Sequence, residues 1–463
     1  MHAGPTQVMH LVLASTTIRR KRHESVMGFV MCSARNQEAI TGQMRVTLRP
    51  LNRREGKQSN QPVNARKIES MQTQSYKEPL HAPFEWYRTM RATQPVFQHP
   101  DWGGWQVFRY ADVARVLSEY ATFSSDGHRM AQAEGSQGEG DPIGSSILQM
   151  DPPRHRQLRN LVTLAFTPRM VAQLEPRITA ITHELLDHVA AEGEMDVVRD
   201  LAYPLPVTVI AELLGIPAEL REDFKRWSDA IVAGEEGLSE EERKALFQEI
   251  QGMYGYFTQV LEERRQHPQN DLVSALLAAS VDGQRLSNVE LLGFCGLLLV
   301  AGNETTTNLL GNMILCFDEH PDVVERLRSN RELVPGAIEE TLRYYSPVKA
   351  MPRMTTTETM IGDQRIGPNQ FLVAWIGSAN RDEAEFPDAD RFDIEREPNH
   401  HVAFGRGIHF CLGAPLARLE AKVALNAMLD RLPGRWQVAD VPLELVKSFI
   451  VFGAKELPMT WGA

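Results

Sequence analysis

The chain has 463 residues, enough to bury a sizeable core, with an ordinary 43% of apolar residues and 24% charged. Its formal charge of −11 argues against non-specific nucleic-acid binding, which needs a broad basic surface. The four cysteines, Cys32, Cys295, Cys316 and Cys411, form no CxxC pair, which excludes a disulfide framework and fits a reducing cytoplasm.

Charge is uneven along the chain. Residues 1–70 carry about +8 and the remainder about −19. The first segment has no sustained apolar period and reads as a basic, disordered extension. A start placed too early is the other reading, because ordered-looking sequence begins just after Met71. Val8 to Ala14 is too short an apolar run to span a bilayer, and the RRKR run at 19–22 follows it, whereas a secretory signal places its charges first. The Arg-rich, acid-poor composition also fits a mitochondrial transit peptide. Residues 71–463 read as a single domain.

Within that domain FRYADVARVLSEYATFSS (108–125) has an apolar period near that of a helix. The Gly-, Ser- and Gln-rich stretch 126–147 reads as a long surface loop of the kind often used as a lid. Helical patterns recur at 154–166, 169–192, 205–214, 219–233, 239–266 and 271–280. Ser287 and Glu290 then form a capping box before LLGFCGLLLVAG (291–302), which is apolar on every face, and the pattern continues to about Phe317. The uncharged run is about twelve residues, short of the roughly twenty a bilayer requires, so this helix is expected to cross the protein core. Strand signals concentrate in 351–376 and 442–461. The expected class is mainly α with a small β part.

Two stretches carry chemistry. AGNETTT (301–307) puts an acid and hydroxyls inside an apolar rod, which is costly unless they are partnered. Either Glu304 points to the surface and Thr305 bonds back to the preceding turn, or Gly302 admits a ligand while Glu304 and Thr305 handle protons. In FGRGIHFCLGAPLAR (404–418), two glycines allow a tight turn under a flat ligand, and Cys411 sits where a helix begins. Free N–H groups at a helix start favour thiolate, a soft metal ligand. A buried structural cysteine, or zinc shared with His400, His401 and His409, are the competing readings.

FGRGIHFCLG resembles the heme-binding signature of the cytochrome P450 family, F-G-x-G-x-H-x-C-x-G, with every fixed position filled. AGNETT is similar to that family's oxygen-activation segment, Glu340 and Arg343 match its E-x-x-R pair, and Arg391 in DRFD resembles the second arginine that locks the pair. The resemblance covers about residues 76–463. It implies the cytochrome P450 fold, a triangular helical domain whose long central helix crosses over the heme. It implies heme b (iron protoporphyrin IX) with Cys411 as the axial metal ligand and Phe404 and Gly405 in its loop. His155, Arg159, Arg353 and His409 would contact the propionates. Glu304 and Thr305 would form the proton relay, and Ala301 and Gly302 would leave room for dioxygen. Histidine at 409 is typical of soluble bacterial members, which discounts the transit-peptide reading.

The implied activity is a heme-thiolate monooxygenase inserting one oxygen atom of O2 into a hydrophobic small-molecule substrate by hydroxylation or epoxidation. Nothing resembles a flavin or nicotinamide module, so electrons are expected from a separate ferredoxin-type donor and its reductase. The enzyme is expected to be a cytoplasmic monomer, with no nucleic acid and no membrane anchor. Arg154, Arg156, Arg406 and Arg418 would present a basic face to the donor. Val300, Val348, Lys349, Met351, Ile450 and Val451 would line the substrate pocket, along with the 126–147 loop. Lys349 is the odd member: it could meet a substrate carboxylate, or face solvent or a propionate. A peroxide-driven peroxygenase and a non-catalytic heme-binding or sensor protein are the alternatives.

Overall fold

The computed structural model describes residues 77–101, 103–127, 129, 146–233 and 239–462. The N-terminal extension and most of the 126–147 loop therefore lie outside the described residues.

Six helices build the site, numbered in chain order: α1 (Arg154–Ala165), α2 (Arg221–Ala233), α3 (Glu240–Gln266), α4 (Asn288–Glu319), α5 (Val334–Tyr344) and α6 (Ala414–Arg431). Their ends are written locally. The Ser287 hydroxyl accepts from the Glu290 N–H at 3.3 Å while the Glu290 carboxylate accepts from the Ser287 N–H at 2.8 Å, closing the expected capping box on α4. Ser239 and Glu242 do the same for α3. α4 runs for 32 residues, about 48 Å at 1.5 Å per residue. Most of its second half is buried, in keeping with its apolar circumference. α6 packs on both α4 and α5, so the helix after the cysteine loop is anchored to the core.

Among the described residues ten short strands complete the fold: β1 (Val96–Gln98), β2 (Trp105–Val107), β3 (Phe123–Ser124), β4 (Glu194–Asp196), β5 (Met351–Thr355), β6 (Thr359–Ile361), β7 (Gln364–Ile366), β8 (Phe371–Ala374), β9 (Arg435–Val438) and β10 (Pro458–Gly462). The main sheet has the order β1-β2-β8-β5-β3. β2 pairs parallel with β8, Trp105 opposite Leu372, so most of the helical chain forms the crossover between them. β5 lies antiparallel to β8 with Arg353 opposite Leu372, which fixes where Arg353 sits. Mainly helical with a smaller sheet part, the molecule has the class expected.

Three local readings differ from the structure. The pattern at 169–192 breaks into helices at Pro168–Gln173 and Glu175–Asp187, because Pro176 lacks the N–H that would continue the first, whereas the first turn of a new helix tolerates it. The 108–125 pattern is helical only over Tyr110–Ser118, and Phe123–Ser124 joins the sheet beside β5. In 442–461 the one regular strand is β10, and its partner β9 precedes that stretch.

Candidate functional site

The loop between β8 and α6 carries Cys411. Gly405 and Gly407 take φ of +72° and +69°, the left-handed turn conformation anticipated for them. At Gly407 a Cβ would also stand 2.9 Å from the Ser118 Cα, so the loop lies against the backbone of a neighbouring helix. The Cys411 N–H donates to the Phe404 carbonyl at 2.9 Å, closing the turn. Burial pushes the Cys411 thiol up, and the N–H groups of Gly413 and Ala414 and the charges of Arg159 and Arg418 oppose that. The zinc reading fails on geometry: among the described residues no group of three or more His, Cys, Asp or Glu side chains could hold a metal ion.

Four nitrogen-bearing side chains meet beside this loop. The His155 and His409 rings lie 4.3 Å apart. Arg159 on α1 donates to the Phe410 carbonyl at 2.8 Å, tying α1 to the cysteine loop. Burial draws the Arg353 guanidinium down to about 10. Burial, with the charges of Arg353, His155 and Arg159, takes His409 down to about 3. The carboxylate whose charge reaches Arg353 and His155 is Asp151, already engaged by the Ser124 hydroxyl and the Ser125 N–H. Nε2 of His155 and Nε2 of His409 are buried with no hydrogen-bond partner. Buried polar atoms without partners are rare in a finished structure, so this is a socket for acceptors supplied by a bound group. Two propionates fit that donor set.

Along α4, Thr305 Oγ1 donates to the Ala301 carbonyl at 2.6 Å, as the plainer of the two readings required. Glu304 does not stand free in solvent as that reading has it, because burial pushes its carboxyl up to about 7. It makes no ion pair among the described residues. Ala301 is exposed, one turn before Thr305. At Gly302 a Cβ would meet Ile210 Cδ1 at 3.0 Å and Cγ1 at 3.2 Å, so the missing side chain lets the neighbouring Pro204–Leu213 helix pack close. Sequence reasoning had also passed over Asn303, whose buried Nδ2 donates to the Ser228 hydroxyl on α2 at 2.8 Å.

The E-x-x-R pair is buried completely, with Arg343 Nε and Nη2 donating to Glu340 at 2.8 and 2.7 Å. Arg391 is not the second arginine. Its side chain is 65% exposed and pairs with Asp393, and only its carbonyl accepts from Arg343, at 3.0 Å. Arg396, 8% exposed, takes the place with Nε 3.2 Å from Glu340 Oε1. The chain turns back between 391 and 396, and no residue spacing announces that turn.

Of the pocket candidates, four meet: Val348 bridges Val451, and the Lys349 N–H donates to the Ile450 carbonyl at 2.7 Å. Met351 continues that segment into β5, and Val300 lies on α4 beside Ala301. Lys349 has no ion pair among the described residues, and burial lowers its ammonium to about 8. The proposed basic face is thinner than the sequence implies, since Arg154 is held by Glu290, Arg418 by Glu339, and Arg406 lies 3.5 Å from the Tyr110 hydroxyl. Arg156 is exposed.

Residues 105–442 match the sequence profile of the family described as Cytochrome P450. The chain is 43% identical over 374 residues to cyclomarin C epoxidase CymV of Salinispora arenicola, covering 80% of this chain and 94% of that protein. It is 42% identical over 391 residues to the erythromycin C-12 hydroxylase of Saccharopolyspora erythraea, covering 82% and 95%. The solved structure of CYP109E1 from Bacillus megaterium in complex with testosterone superposes with a TM-score of 0.75 at 42% identity, covering 82% of this chain and 99% of that one. No described helix is long and apolar enough to cross a membrane. The protein therefore belongs to the cytochrome P450 family and is a monooxygenase that carries heme b.

Proposed function

We propose that Cys411 ligates the heme iron and that the enzyme oxygenates a hydrophobic small molecule with electrons from a cytoplasmic ferredoxin and its reductase. The observation that carries the reading is the pair of orphaned imidazole nitrogens beside the cysteine loop, flanked by two arginines. Arg353, Arg159, His155 and His409 would hold the propionates, and Phe404 and Gly405 would shape the loop that carries the ligating sulfur. The N–H groups of Gly413 and Ala414 steady the sulfur as an anion. Bound heme supplies the activation of dioxygen and the oxidation of the substrate.

The remaining steps belong to side chains on α4. With its own hydrogen given to the Ala301 carbonyl, the Thr305 oxygen is left to accept from a bound hydroxyl or water. Glu304, close to neutrality in its proton affinity, takes protons from solvent and passes them inward. Ala301, exposed one turn before Thr305, and Gly302 would leave room for dioxygen. Val348, Met351, Ile450 and Val451 offer apolar contacts, and a relative solved with testosterone, a hydrophobic steroid, supports an apolar substrate. Arg156 and Leu164 on α1 and Phe410 on the adjoining loop are exposed, a mixed basic and apolar surface suited to an acidic ferredoxin.

The test is the ferrous carbon monoxide complex of the heme-loaded protein. Wild type gives a strongly red-shifted Soret band and Cys411→Ala does not; a red-shifted band in the variant refutes ligation by Cys411. Product formation with ferredoxin and reductase, against none with peroxide alone, supports the monooxygenase route over a peroxygenase. Electron-transfer rates insensitive to salt would remove the charged docking surface.

A further inference from the structure

Glu339 precedes the buried Glu340 on α5 and grips a different partner. Arg418 Nε and Nη2 donate to its two carboxylate oxygens, both at 2.7 Å, in the two-point geometry that makes arginine–carboxylate pairs strong. His401 Nε2 lies 3.1 Å from the same carboxylate. Burial would raise the Glu339 carboxyl, and the bonds from Arg418 and His401 outweigh it, holding it at about 2. The Arg418 guanidinium sits 4.5 Å from the centre of the Phe404 ring, and the Phe404 carbonyl receives the Cys411 N–H. The charge of Arg418 also acts on the Cys411 sulfur. A continuous set of contacts thus joins α5 and α6 to the cysteine loop, outside the Glu340 cluster.

We propose that Glu339 is a positioning residue that holds Arg418 beneath the cysteine loop and neutralises its charge, and thereby sets the reduction potential of the iron bound to Cys411. This rests on Cys411 being the iron ligand. Reduction adds one electron from an external donor to ferric iron and leaves one more negative charge at the iron–sulfur centre. An uncompensated cation nearby favours that state, and an uncompensated anion disfavours it. Glu339→Gln frees the cation, whereas Arg418→Gln frees the anion. The two substitutions therefore move the potential in opposite directions, which a loosened loop would not do.

The experiment is a spectroelectrochemical titration of heme-loaded wild type, Glu339→Gln, Arg418→Gln and the double variant. Each single variant is expected to change the reduction equilibrium by about tenfold, or 59 mV for one electron. The shift is upward for Glu339→Gln and downward for Arg418→Gln, and the double variant returns close to wild type. Shifts of the same sign, or no shift in either single variant, overturn the proposal. If a single variant fails to hold heme, the double variant and Arg418→Lys decide the matter. Both leave the pair's net charge at zero, so each should stay within about twofold of wild type, and a tenfold change in either overturns the proposal. A wild type without the red-shifted carbon monoxide band defeats the ligand assignment; a normal band with unmoved potentials defeats only the role of Glu339.

Discussion

The side of the molecule that holds Cys411 and the side formed by α4 treat charge in opposite ways. Beside the cysteine loop the acids on α5 are paired: Glu339 with Arg418 and His401, and Glu340 with Arg343 and Arg396. Along α4, Glu304 has no counterion among the described residues, and Thr305 is bonded only to its own helix. A paired charge keeps its position, which suits a ligand that must not move. An unpaired one keeps its freedom to gain or lose a proton, which suits a relay.

Substitutions can break this contrast. The largest effect is expected from Glu340→Ala, which strands Arg343 and Arg396 without their buried counterion and should cost about 3–5 kcal/mol in urea unfolding. Thr305→Ala comes next: product formation should fall by about 10²-fold, while oxygen uptake continues, as read by an oxygen electrode beside product analysis. Gly302→Val forces a branched side chain onto Ile210 and should cost about 1–3 kcal/mol of stability, the measure being the urea midpoint.

Smaller effects sharpen the comparison through pH. The Glu304 carboxyl stays protonated up to about 7 in the fold, against an ordinary value of 4.5. Its raised value means that the stability it contributes is full below 4.5 and is lost as pH rises through about 7. Glu304→Gln should flatten that decline in a series of melting temperatures, and an unchanged slope would place the titrating group elsewhere. Arg391→Ala should move stability by less than about 0.5 kcal/mol, since its exposed guanidinium reaches only Asp393. A loss comparable to that of Arg396→Ala would restore Arg391 to the locking role.

How much of this could be read beforehand depended on sequence distance. The capping box at Ser287 and Glu290, the two turn glycines before Cys411 and the Glu340–Arg343 pair all lie within a few residues, so spacing alone exposes them. The identity of the second arginine does not, because Arg391 and Arg396 differ only in how an irregular segment folds back toward Glu340. The close packing at Gly302 is hidden for a similar reason, as its neighbour Ile210 is remote in the chain and no local pattern names it. β1 and β2, three residues each, are too short to show an alternation. The meeting of Glu339, Arg418 and His401 is likewise hidden, because the three come from separate segments of the chain.

Where the chain segments carrying Val348 and Val451 come together, they are joined through the backbone, by the bridge between those residues and by the Lys349 N–H on the Ile450 carbonyl. Main-chain stitching of this sort does not depend on which side chains are attached. The four positions can therefore change size and polarity while the stretch of chain bearing them keeps its course. Selection acting on this protein can thus retune which molecule it accepts one residue at a time, without first rebuilding the scaffold.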